Sequence, residues 1–165
     1  MVPLSDFSLT EASGDSFSSD ALHGKVWVAD LVFTSCPSIC PTMSSTMGNL
    51  HRRITHDDVR FVSITVDPEV DTPEVFDAYA ARFSADRQRW HFLTGAPEDV
   101  NRVIHQSFRL PAGDRIDRDD GTYDMLHTGQ FILIDQHMNM RGLYETDRAG
   151  LDALERDIGR LRSES

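Results

Sequence analysis

The sequence predicts an α/β fold: a central mixed sheet flanked by helices and preceded by an N-terminal β-hairpin. Three observations carry this. A continuous, valine-rich apolar run at 26–33 has the length and composition of a strand buried on both faces. Strand-like and helix-like patterns then alternate as far as residue 108. The chain closes with two strands at hairpin spacing and one amphipathic helix.

Taken in order, residues 5–20 place Phe7, Leu9 and Phe17 around Ser13, Gly14 and Asp15, the pattern of a short hairpin. Gly24 and Lys25 introduce the apolar run, within which Asp30 stands out; it faces either the outer edge of the sheet or a functional site. Pro41 suits the first turn of a helix, where its missing N–H costs nothing. Met43, Met47, Leu50 and Ile54 follow at helical spacing, predicting a helix over 41–55. Residues 59–66 are a second strand. Thr72 and Pro73 mark the next helix start, with Thr72 as its cap, and Val75, Phe76, Tyr79 and Phe83 supply its buried face.

Residues 90–94 read as a short strand, and Pro97 opens a helix that buries Val100, Val103, Ile104 and Phe108. Residues 109–124 are polar and charged, an exposed loop that can hold a short hairpin. Residues 131–134 and 138–144 pair across a turn at 135–137. Leu151, Leu154, Ile158 and Leu161 form the apolar stripe of a final helix.

The 165 residues suffice for one domain, expected to span 1–165, with a core of its own. A net charge of −11 argues against nucleic acid and against an anionic membrane surface, both of which reward clustered lysine and arginine. No run approaches the roughly 18 apolar residues of a membrane span. The residues after Met1 have no basic-then-apolar signal pattern, so any membrane tether is expected outside this sequence.

Cys36 and Cys40 are the only two cysteines, too few for a disulfide scaffold. Residues four apart share one face of a helix, offset by about 40°. At a helix start, unpaired N–H groups and the positive helix end favour thiolate over thiol. Two thiolates on one turn chelate a soft ion such as Cu(I), or close a disulfide; two buried thiols without a role are the plain alternative. A dithiol metal site calls for a third ligand, and seven histidines are candidates: His23, His51, His56, His91, His105, His127 and His137. His127 lies at the edge of the sheet, just before the strand that ends at Asp135.

Residues 33–43, with Cys36-Pro37-Ser38-Ile39-Cys40-Pro41, resemble the signature of the Sco/SenC family of copper proteins. Residues 63–74 resemble that family's second block, and His127 with the apolar strand after it the third. The resemblance implies a thioredoxin-like fold and a copper site of Cys36, Cys40 and His127. It further implies a copper-binding metallochaperone that matures the binuclear copper centre of cytochrome c oxidase. The implied partners are the copper-centre subunit of the oxidase and another copper chaperone as donor. The implied location is the periplasmic, or extracytoplasmic, face of the bacterial inner membrane.

The sequence departs from that family in two places. An acidic residue commonly precedes the histidine, and here Leu126 stands there. The turn after Asp135 carries Gln136, His137, Met138, Asn139 and Met140, either a second soft patch for copper or a divergent hairpin with Met138 in the core. Asp67 and Asp71 either border the site or serve a strand end and a helix start. The rival function is a thiol–disulfide oxidoreductase that uses Cys36 and Cys40 as a redox pair to reduce partner cysteines before metallation. A peroxidase with one peroxide-reactive cysteine ranks behind both.

Overall fold

The computed structural model describes the backbone of residues 2–36, 39–112, 114–125 and 127–164, with the side chains of all of these except residues 39 and 40. Among the described residues the strands are β1 (Val2–Pro3), β2 (Ser8–Glu11), β3 (Ser16–Ser18), β4 (Val26–Val32), β5 (Val59–Thr65), β6 (Trp90–Thr94), β7 (Arg115–Asp117), β8 (Tyr123–Met125), β9 (Phe131–Ile134) and β10 (Asn139–Tyr144). The helices are α1 (Ile39–Arg53), α2 (Pro73–Arg82), α3 (Pro97–Arg102) and α4 (Arg148–Ser163). A π-helical turn, Val103–Ser107, extends α3.

Eight strands form one mixed sheet in the order β1-β10-β9-β4-β5-β6-β2-β3. The three central strands β4, β5 and β6 are parallel, joined by crossovers through α1 and α2, while β9 runs antiparallel to β4. All seven residues of β4 are buried, which is why that run carries no polar alternation. Trp27, Phe61, Trp90 and Phe131 are fully buried and anchor the core. Each large apolar side chain withdrawn from water contributes about 1.5–3 kcal/mol.

Every predicted main element is present, with helix and strand ends within two or three residues of expectation. Four features differ. β1 pairs with β10 at one edge of the sheet. The N-terminal hairpin β2–β3 docks on the other edge through β6. Val75, expected on the buried face of α2, is exposed, whereas the short hairpin that the polar segment after residue 109 can hold is present as β7–β8 and runs to Met125. Thr72 occupies the cap position of α2, but its side chain makes no capping bond; Pro73 in the first turn and Glu74 near the positive helix end suffice.

Asp30 is fully buried in mid-β4, away from any exposed edge. Trp90 Nε1 donates to Ser63 Oγ at 3.1 Å, and Ser63 Oγ donates to Asp30 Oδ1 at 2.5 Å. This polar chain crosses all three parallel strands inside the core. Among the described residues, Asp30 Oδ2 is buried with no hydrogen-bond partner.

Candidate metal centre

The site forms where β4 ends. The backbone leaves the strand at Phe33, turns through Thr34 and Ser35, and closes with Cys36 N donating to Phe33 O at 3.2 Å. α1 begins three residues later, so the cysteine segment lies at the mouth of a 15-residue helix. The Cys40 side chain lies outside the described residues, as does Leu126.

Strand register explains how a distant imidazole arrives here. β4 and β9 pair antiparallel, with Trp27 opposite Ile134 and Ala29 opposite Ile132. Continued past the paired residues, that register sets position 127 opposite position 34, two residues from Cys36. The Cys36 Sγ, a ring nitrogen of His127 and a carboxylate oxygen of Asp124 all lie within 4.8 Å of one another. Donors held about 2.0–2.3 Å from one ion are at most ~4.5 Å apart, so a small movement closes this set on a metal.

Each donor is held. Cys36 is buried, while Asp124 and His127 are half-buried. His127 Nδ1 lies 3.0 Å from the Thr128 carbonyl oxygen. An Nδ1–H donated to that carbonyl leaves the lone pair on Nε2, the arrangement that orients a ligating histidine. The imidazole meets the Phe33 ring edge to face, with centroids 5.8 Å apart, and Tyr123 stacks on Phe33 at 5.9 Å. Asp124 accepts from Arg118 Nη2 at 2.8 Å and from Met125 N at 2.9 Å. The Arg118 guanidinium holds this carboxyl below the usual carboxylate range.

Asp67 and Asp71 both border the site. Asp71 is fully buried and accepts from Thr34 N at 3.1 Å, from Thr65 Oγ1 at 2.7 Å and from Thr34 Oγ1. It ties the turn before Cys36 to the end of β5. Burial pushes its carboxyl above the ordinary range, against the pull of the three bonds. Asp67 accepts from the Tyr123 hydroxyl at 2.6 Å, which anchors β8 to the body of the domain. Asp71→Asn keeps the shape but replaces one acceptor oxygen by a donor. It is expected to cost about 1–3 kcal/mol, read as a lower urea midpoint at unchanged slope. An unchanged midpoint would show that the staple is not needed.

The other histidines are placed elsewhere. His51 is buried, with Nδ1 2.5 Å from Gly48 O and Nε2 accepting from Asp86 N at 3.2 Å. His91 pairs with Glu11, His105 Nε2 lies 2.8 Å from Ala112 O, and His23 sits against Asp6 at the surface. His56 and His137 are exposed. Met138 is 3% exposed and part of the core, so the 136–140 turn is the divergent hairpin and not a soft patch. Asp124 was not legible in the sequence as a site residue; it looked like one more charge in a polar loop, and only the β7–β8 pairing reveals it.

The SCO1/SenC family profile matches residues 3–161. The chain belongs to the SCO1/SenC family. Among its relatives in that family is the SCO1 protein homolog of Bacillus subtilis. The two are 31% identical over 131 residues, covering 78% of this chain and 66% of the relative. The chain thus spans just under two thirds of that curated relative's length. Solved structures share the fold, among them the following three. The SCO1/SenC family lipoprotein of Bacillus anthracis superposes with a TM-score of 0.85 at 34% identity, covering 97% of this chain and 95% of the other. Copper-bound ScoI of Bradyrhizobium japonicum gives 0.82 at 28%, covering 98% and 99%. BsSco, a member of the Sco family of cytochrome c oxidase assembly proteins in which a disulfide switch was identified, gives 0.82 at 26%, covering 99% and 95%. The SCO1/SenC fold of this chain is therefore the thioredoxin-like one that the sequence resemblance implied.

Proposed function

We propose that this chain is a copper-binding metallochaperone that serves the binuclear copper centre of cytochrome c oxidase, with Cys36, Cys40 and His127 as ligands. The observation that carries the reading is the meeting of Cys36 and His127, from two distant parts of the chain, with donor atoms within 4.8 Å. Thiolate suits Cu(I), and an added imidazole extends the set toward Cu(II). The copper bound to a homologous ScoI supports the choice of metal.

Copper is cargo in this reading, so the centre must bind and also release. A site at the end of a strand, at the edge of the body, lets a partner's thiol or imidazole enter and displace ligands one at a time. The partners are the copper-centre subunit of the oxidase and a second copper chaperone as donor. The B. anthracis lipoprotein supports an extracytoplasmic, membrane-anchored setting. Among the described residues, no helix is long and apolar enough to cross a membrane.

The competing reading is a thiol–disulfide oxidoreductase acting through Cys36 and Cys40, and the disulfide switch of BsSco keeps it in view. Cys36 is only 7% exposed. Both readings need a partner to reach this sulfur, and His127→Ala separates them, because thiol exchange needs only the two sulfurs.

Anaerobic titration of the reduced protein with Cu(I), and separately with Cu(II), is expected to saturate at one ion per chain. Because thiolates must form, binding should release protons and weaken as pH falls. Failure to bind either ion stoichiometrically would end the chaperone reading.

A further inference from the structure

We propose that Asp124 is an oxygen ligand for the divalent state of the cargo ion, and that Arg118 positions it. This rests on the copper reading above and goes beyond its ligand set. The carboxylate of Asp124 is no farther from Cys36 Sγ and the His127 ring than 4.8 Å, so it belongs to the same small volume as both.

The carboxylate is built into place. β7 and β8 pair with Asp124 opposite Ile116. The connecting turn is tied by Arg118 N donating to Thr122 O at 2.9 Å and by Thr122 N donating to Asp120 Oδ1 at 3.0 Å. That turn aims Arg118 back across the hairpin at Asp124 Oδ2, while Met125 N holds Oδ1. Each carboxylate oxygen keeps a second acceptor site. The hairpin itself is pinned to the body by Tyr123 on Phe33 and Asp67. The carboxylate is therefore preorganised beside the sulfur and imidazole.

The chemistry of the donors then separates the two oxidation states. A hard carboxylate oxygen suits Cu(II) and adds little for Cu(I), which prefers thiolate. Charge points the same way. Two thiolates already leave Cu(I) with a net negative centre, and a carboxylate makes that worse. With Cu(II) the two thiolates give neutrality, and the Asp124 anion arrives with Arg118 as its counter-ion. Asp124 is thus a device that favours holding the ion in its divalent form.

The test uses the reduced full chain, titrated anaerobically with Cu(II) and with Cu(I) against competing chelators, and Cu(II) electron paramagnetic resonance. In Asp124→Asn, the Cu(II) dissociation constant is expected to rise by at least about 100-fold, the upper end of what loss of an outer-shell partner costs, and the g-values to shift. The Cu(I) constant should stay within about twofold. Arg118→Gln breaks the same hairpin pair but keeps the carboxylate, and should hold Cu(II) more tightly than Asp124→Asn with a wild-type-like spectrum. Equal loss of both ions in Asp124→Asn, an unchanged spectrum, or equal Cu(II) loss in both variants would overturn the proposal. Those outcomes leave wild-type binding intact, whereas wild type that binds neither ion defeats the copper reading itself.

Discussion

Replacing His127 with alanine is expected to weaken Cu(II) binding by at least about 100-fold, beyond the 10- to 100-fold that loss of an outer-shell partner costs. Cu(I) should suffer less, because thiolates carry most of its affinity. The fold should survive: His127 is half-buried and its ring contact with Phe33 is worth about 0.5–1.5 kcal/mol. The same variant separates the two functions. Thiol–disulfide exchange needs two sulfurs and no imidazole, so its rate in His127→Ala should match wild type. Copper binding unaffected by the substitution, measured by competition titration, would remove His127 from the site and with it the metallochaperone proposal.

The second large effect concerns Asp30. Burial pushes its carboxyl from the ordinary 3.8 up to about 7, with the Ser63 hydrogen bond pulling the other way. The folded protein therefore holds this proton between pH 4 and 7, where the unfolded chain has released it. Stability should be insensitive to this group below about pH 4, fall as pH rises through that window, and level off above pH 7. The full span, at 1.36 kcal/mol per unit, is roughly 4 kcal/mol. Asp30→Asn has no proton to lose and should flatten that slope. It should unfold at a higher urea concentration than wild type at pH 8, with the gap closing toward pH 5. Equal wild-type and variant midpoints at pH 8 would show that the carboxylate is solvated on ionisation. The orphaned Oδ2 argues against that.

Residues whose role depends on near neighbours in sequence were readable in advance. The unbroken apolar run of β4 required burial on both faces, and the 3.6-residue spacing of Met43, Met47 and Leu50 required a helix with one buried side. The two cysteines, the only ones in the chain, drew attention to the end of β4, although their spacing alone is not a specific motif. Family resemblance, not spacing, selected His127 from seven histidines.

What the chain alone determined was therefore the order of elements and most of the core-facing positions, Val75 being an exception. Tertiary structure decided which strands lie side by side, and so everything that depends on adjacency. The β4–β9 register carried His127 to the turn before Cys36, and β7–β8 pairing turned Asp124 from a surface charge into a neighbour of both. Asp71 became a staple for Thr34 only once β4 and β5 lay together. Local periodicity records which face of an element is apolar. It holds no record of which distant element will cover that face, because that choice is made by the packing of the whole core.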